Sequence, residues 1–370
     1  MAWHLRRHYL NERAPAAATL EVASAMCGLH AQLMSSAELT LWARVADLAP
    51  DAVPRALWED RSLVKIWAMR GTLHLLPAAD YPLWQAGLST YRHYLKPAWS
   101  RAFGLTPDEV DELVAAVGEA LDGRMLTREE LAVEVSEATG SDDLGEKLVQ
   151  SWGALLKPAS FRGRLCYAPS LGQKVRFTRP DQWLADGATS ALSPVDPDEA
   201  MAGITRRFLA AHGPATREDF ARWWGVAPAP AGRLIRSLAD EVSEIDIEGT
   251  VAWMPAELVS EAQKAAQVEP APVRLLPAFD QYVIAATRHA ERLLPGPFKE
   301  RVYRSQGWLS PVVLVDGRMD GVWRHERKGD QLVVEVEPFV DLSPQARRGV
   351  GQEAEQLAAY LGGSLELKWL

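Results

Sequence analysis

The apolar positions of this chain change period in a fixed order, from helical spacing to strict alternation, and that order repeats. Leu126-Thr127-Arg128-Glu129-Glu130-Leu131-Ala132 is echoed by Ala215-Thr216-Arg217-Glu218-Asp219-Phe220-Ala221. Each segment offers a threonine N-cap, an acid at the third helical position and apolar residues behind it. A second amphipathic stretch follows each, over 145–157 and 231–242, and a pair of alternating strands follows that. The first pair covers 164–169 and 174–177, the second 243–247 and 250–254, with turn residues between the strands. An earlier copy starts at Ser35, passes through 54–60 and ends in strands 63–68 and 72–77 around Met69-Arg70-Gly71. Helix, helix, hairpin is the order of a winged helix, a compact module that often binds duplex DNA.

Beyond Val273 the pattern changes. Segments 273–276, 281–285, 311–315, 321–325 and 331–336 read as strands joined by Gly, Pro and Asp turns. Arg318 and Met319 fall in the turn between Asp316-Gly317 and Asp320-Gly321, and a helix over 343–361 precedes a last strand, 364–369. The reading is an α+β chain of three tandem winged-helix domains followed by a mostly-β C-terminal domain. Its segments are 1–107, 108–195, 196–270 and 271–370.

Composition narrows the class. At 370 residues the chain has room for several domains, and no apolar run approaches the length of a membrane span. The N-terminal Trp3-His4-Leu5-Arg6-Arg7-His8-Tyr9-Leu10 is basic without the apolar stretch of a signal peptide. The two cysteines, Cys27 and Cys166, are far apart, which fits a reducing cytoplasm and no structural disulfide. The eight histidines show no metal-ligand spacing, so neither metal nor cofactor is expected.

The net charge of −9 argues against a nucleic-acid binder until its distribution is read. Residues 155–180 hold Lys157, Arg162, Arg164, Lys174, Arg176 and Arg179 and no acid, and 81–107 hold Arg92, Lys96 and Arg101, again with none. Arginine dominates, which suits bidentate contacts to phosphate. Candidate DNA contacts are therefore Arg162, Arg164, Lys174, Arg176 and Arg179, with Arg70 in the first hairpin turn.

Gly28-Leu29-His30-Ala31-Gln32 places two polar side chains one residue apart, on the same side of an extended strand. Ser35-Ser36-Ala37-Glu38 then has the spacing of a capping box before Leu39, Leu41 and Trp42. On the residues alone, the pair either positions a water or serves locally, with His30 satisfying a helix N–H and Gln32 solvated. Trp67, Trp152, Trp223, Trp224 and Trp253 have the spacing of core anchors, His74 that of a packed or solvated strand residue, and Asp280 that of a turn or N-cap.

Taken together, these segments resemble the bacterial winged-helix DNA glycosylases of the AlkZ and YcaQ type. The resemblance is carried by Leu5 to Leu10, Gly28 to Gln32, Leu41-Trp42-Ala43-Arg44 and Met69 to Pro77. Leu275-Leu276-Pro277-Ala278-Phe279-Asp280 and Gly307-Trp308-Leu309-Ser310-Pro311 extend it over essentially the whole chain. It implies a positively charged DNA-binding surface, a β-hairpin near the lesion, and a catalytic Gln-φ-Gln or Gln-φ-Asp motif, φ being aliphatic. That motif falls here on His30-Ala31-Gln32, with histidine in place of the first glutamine. The 316–321 turn, carrying Arg318 and Met319, is the first choice for the probing hairpin, ahead of the turns around Gly71 and Gly172.

Such enzymes unhook interstrand crosslinks and excise bulky alkylated purines. In N7-alkylguanine and N3-alkyladenine the positive charge already weakens the glycosidic bond, so the leaving base needs little protonation. What remains is to place a water near C1′ and stabilise developing oxocarbenium character. Gln32 can hold that water but cannot deprotonate it; an imidazole can do both. The expectation is a monomeric, cytoplasmic, cofactor-free DNA glycosylase acting on double-stranded DNA carrying alkylated purines, with no membrane partner. The competing classes are a non-catalytic winged-helix regulator and a protein–protein module. A regulator has no use for the His30–Gln32 pair, and no coiled coil or dimer helix is evident.

Overall fold

The computed structural model describes residues 1–185, 194–265 and 272–370. Helices and strands alternate along the chain, which packs into two compact units: Val53–Ile204, and Met1–Ala52 together with Thr205–Leu370. This division does not follow the four consecutive segments of the sequence reading, and the boundary at 270/271 lies outside the described residues.

In the unit Val53–Ile204, strands Leu63–Trp67 and Leu73–Pro77 pair antiparallel, Trp67 opposite Leu73, around a turn in which Arg70 is left-handed at φ 57°. Helices Pro107–Ala120 and Arg128–Thr139 start at complete capping boxes, Thr106 with Glu109 and Thr127 with Glu130. Helix Asp142–Gln150 is capped by Ser141. The hairpin Cys166–Leu171 and Lys174–Thr178 follows, and the short strand Leu126–Thr127 pairs with its second strand. Trp67 is the apolar anchor, with ring centres 5.0 Å from Tyr167 and 6.0 Å from Phe177.

In the second unit, Thr216 and Asp219 form the capping box of helix Arg217–Trp224, as the echo of the first motif predicts. Helix Pro228–Ser237 and the hairpin Val242–Ile247 with Thr250–Pro255 complete that module. The N-terminal helix Ala2–Arg7 docks beside it: the Trp3 indole donates to Gly213 O at 3.0 Å, and Trp3 packs with Met254 and Ala265.

Five strands make the C-terminal sheet, in the order Ser364–Trp369, Gln331–Pro338, Arg318–Lys328, Val312–Val315, Arg274–Leu276. The first two are parallel and the rest antiparallel. Helix Pro344–Leu361 packs on the sheet through Val350, Ala354 and Leu357. Among the described residues no helix is long and apolar enough to cross a membrane.

Two local expectations fail for physical reasons. Helix Met34–Trp42 begins one residue before Ser35, with Leu33 at its N-cap, so Ser35 and Ser36 lie in its first turn and form no capping box with Glu38. Residues Gln281–Ala285 have a strand-like composition but form a helix. Phe279 turns the chain through φ 58°, and the Asp280 carboxylate accepts from Tyr282 N at 2.9 Å, which starts a helix where a strand would have run on.

Candidate active site

His30 ends the short strand Leu29–His30 and is buried, whereas Gln32, two residues on, is exposed in the bend before helix Met34–Trp42. The shared direction expected of an extended pair therefore gives two environments. One flank of the imidazole is covered by Phe279, stacked nearly parallel with ring centres 4.8 Å apart and planes 16° from each other. Trp308 meets Phe279 edge-on at 5.0 Å and remains 42% exposed, so the aromatic series runs from the imidazole to the surface.

The residues after Phe279 lock this arrangement. Asp280 and Arg44 form a bidentate ion pair at 2.7 and 2.8 Å, with both side chains 0% exposed. The Arg44 guanidinium also donates to Thr40 O at 2.9 Å, holding helix Met34–Trp42 to the pair. Gln281 Nε2 donates to Gly28 O at 2.7 Å, which fixes the loop entering Leu29 and His30. Tyr282 donates its hydroxyl to Gly317 O at 2.8 Å. Three consecutive residues thus tie three separate pieces of chain to the segment that follows Phe279. Asp280 fulfils the expected N-cap role, and its buried partner was not anticipated.

That clamp is what sequence reasoning missed. Arg44 and Asp280 stand 236 positions apart, so no spacing connects them. A usable signal was an arginine directly behind the apolar run Leu41-Trp42-Ala43 and an aspartate directly behind Pro277-Ala278-Phe279. A charge in an apolar segment must find an opposite charge.

The turn chosen for lesion probing does not suit that task. Gly317 at φ 81° would, with a side chain, meet Met1 Cγ at 2.7 Å and Leu5 at 3.2 Å, so the turn is packed down rather than free. Met319 is fully buried in strand Arg318–Lys328 opposite Leu314, with no surface to offer DNA. Arg318 starts that strand, 3.6 Å from Asp320. Residues 324–328 of the same strand are exposed up to the turn at Gly329.

The acid-free basic run acquires acids from elsewhere in the fold. Arg162 donates to Asp111 at 2.5 Å and to the Tyr94 hydroxyl at 2.7 Å. Arg179 grips Asp181 with two nitrogens and reaches Asp122 at 2.9 Å. Arg176 donates to Pro169 O at 2.7 Å. Arg164, Lys174 and Arg70 are exposed. Of the tryptophans, Trp67, Trp223 and Trp224 are buried and Trp253 half-buried, but Trp152 is 90% exposed and is no core anchor. His74 is packed, with Nδ1 3.1 Å from Thr72 O. Among the described residues no group of His, Cys, Asp or Glu is arranged to hold a metal ion.

The family model for AlkZ-like DNA glycosylases matches residues 23–360. The chain belongs to this family. It is 37% identical over 367 residues to an interstrand DNA cross-link repair glycosylase of Streptomyces sahachiroi, covering 98% of this chain and 96% of that one. It is also similar to the solved structure of Streptomyces sahachiroi DNA glycosylase AlkZ, with a TM-score of 0.88 and 36% identity over 100% of this chain and 98% of the other. DNA glycosylases are hydrolases of N-glycosyl bonds.

Proposed function

We propose that this chain is a monofunctional glycosylase hydrolysing the N-glycosidic bond of bulky or crosslinked N7-alkylguanine and N3-alkyladenine in duplex DNA. It acts as a cytoplasmic monomer, in crosslink repair or in self-resistance to a genotoxic metabolite. The observation that carries the reading is the fixation of His30. Phe279 stacks on the imidazole, while the buried Arg44–Asp280 pair fixes the residue after Phe279 and the Gln281 bond to Gly28 fixes the loop before His30. In this reading the three helix–helix–hairpin segments, 1–107, 108–195 and 196–270, are winged helices, and 271–370 supports the site.

His30 acts as general base or water-orienting group, and Gln32 holds the same water near C1′ from the solvent side. The alkylated purine leaves as a neutral base, because its positive charge is discharged when the bond breaks. Arg70, Arg164 and Lys174 supply phosphate contacts, and Arg318 plays at most an indirect part. The exposed end of the hairpin Arg318–Lys328 and Gln331–Pro338 takes over the lesion-probing role from the packed 316–321 turn.

Incubation with N7-alkylated duplex, followed by scoring of alkali-labile abasic sites, tests the activity. His30→Ala should slow single-turnover excision roughly 10²–10⁴-fold, the usual worth of general-base help. His30→Gln should retain part of the rate, since an amide still orients water. With histidine as the base, the wild-type rate falls on acidification from about pH 8 to about pH 5, and the glutamine variant lacks that fall. A fully active alanine variant with a flat profile returns His30 to a structural role.

A further inference from the structure

Trp152 is the most exposed large apolar side chain among the described residues, at 90%. Its position is built rather than frayed. Helix Asp142–Gln150 ends just before it, Trp152 turns left-handed at φ 52°, and Gly153 follows at φ 84°. A bulky side chain rarely adopts the left-handed region, and such backbone strain persists only where the surroundings enforce it. The enforcement is visible at Gly153, where even a Cβ would meet the Trp67 ring at 2.9 Å, so the turn is pressed onto the buried anchor of the unit. Ala154 N donates back to Ser151 O at 2.9 Å and closes the turn. The fold therefore holds a large indole out in water on a fixed stalk.

The charges nearby identify the partner. Trp67 ends the strand that leads into the Met69–Gly71 turn, which carries the exposed Arg70. Lys157, five residues after Trp152, lies along Gly71 with its ammonium 3.4 Å from where a Cβ would stand. Lys157 and Lys96 both act on His93, which adds a third cation to the same region. A hydrophobic protein partner has no use for this set of cations, whereas nucleic acid needs them for phosphate and offers bases to an aromatic face.

We propose that Trp152 is a base-stacking wedge: its indole stacks on a nucleobase where the duplex is opened, while Arg70 and Lys157 hold the flanking phosphates. Aromatic and apolar wedges of this kind offset the cost of unstacking a base step. The proposal rests on the reading of the chain as a duplex-DNA enzyme but not on which lesion it excises.

The test measures binding alone, with full-length protein and two duplexes of one sequence, one intact and one carrying a tetrahydrofuran abasic-site analogue. Trp152→Ala should weaken binding to the interrupted duplex roughly 5- to 150-fold, the loss typical of one base–aromatic stack, and change intact-duplex affinity less than about twofold. Trp152→Phe should restore most of the loss and Trp152→Leu little of it. Arg70→Gln with Lys157→Gln should weaken both duplexes alike. Unchanged thermal unfolding of each variant excludes a folding defect, which the exposure of Trp152 makes the expected result. Equal loss on both duplexes, no loss on either, or rescue by leucine as good as by phenylalanine would overturn the wedge. So would a wild-type dimer in sedimentation that Trp152→Ala dissolves. If wild type fails to bind either duplex, the functional reading falls with the wedge; if it binds both and alanine changes nothing, only the wedge falls.

Discussion

The surroundings of His30 and the basic run of residues 155–180 are built on opposite principles. Around His30 the contacts that matter join residues 236 and 253 positions apart, and they are buried and charged or amide-based. Along the basic run the ion pairs also reach across the sequence, 51 positions from Arg162 to Asp111 and 57 from Arg179 to Asp122, but their carboxylates are open to solvent. On the proposed reading, holding one imidazole against one water requires rigidity, and buried, fully paired contacts supply it. A surface that meets a repeating phosphate backbone needs charge of the right sign and tolerates local imprecision.

The sharpest way to break this comparison is to remove one partner of the buried pair. Asp280→Ala leaves the Arg44 guanidinium unpaired in a site with no water access, and it also deletes the cap of Tyr282 N. The expected cost is about 3–5 kcal/mol of folding stability. Replacing both partners, Arg44→Met with Asp280→Leu, should recover part of that loss, because no stranded charge remains. The exposed pair Arg124–Glu134 serves as the contrast, and Glu134→Gln there should leave the urea midpoint nearly unchanged. Urea unfolding of the three variants beside wild type decides it; similar losses at both pairs would mean that burial is not what separates the two regions.

A second contrast lies in the histidines behind the clamp. Burial, and next the neighbouring His4, push His212 down to about 3 against the pull of Asp219. Burial likewise lowers His8, beside His212 and Arg44, and brings His4 to about 4. These imidazoles stay neutral in the folded chain, while the unfolded chain binds protons below about pH 6.5. The unfolded state then holds more protons, so stability falls as pH drops from about 6.5 towards 3. For His212 alone the loss reaches about 2 kcal/mol at pH 5. His212→Phe should make the urea midpoint less sensitive to pH across this window. An unchanged pH slope would show that His212 is protonated in the folded protein.

The helix–helix–hairpin order was legible because it depends on neighbours in sequence. Thr127 with Glu130 and Thr216 with Asp219 cap helices as their three-residue spacing predicts, and each hairpin is announced by its turn residues. His30 and Gln32 could be singled out on motif and spacing. What sequence could not give was decided by distant groups. Gln281 to Ala285 looks like a strand until Arg44 is known to fix Asp280, and Met319 looks like a turn residue until its burial opposite Leu314 is seen. Trp152 shared its spacing with core tryptophans, and only the left-handed turn on Trp67 sets it apart. A stretch free of acid in sequence likewise says nothing about acids that helices elsewhere bring to it.

That last point yields the smallest expected effect and the finest test of the comparison. Arg179 is held by Asp181 and Asp122, whereas Arg164 is exposed with its aliphatic stem along Gly118. To reach a phosphate, Arg179 must first give up carboxylates that already neutralise it, so its net counterion release on binding is small. Among the described residues no carboxylate is paired with Arg164. Arg164→Gln should therefore flatten the slope of log affinity against log salt by roughly 0.9, the value for one lost phosphate contact. Arg179→Gln should flatten it by less than half as much, while costing at most about 1 kcal/mol of stability through its exposed pairs. Affinities for an undamaged duplex across a salt series resolve the difference. Equal slopes in the two variants would mean that DNA displaces the carboxylates freely, and that the fold's placement of acids along the basic run does not shape the footprint.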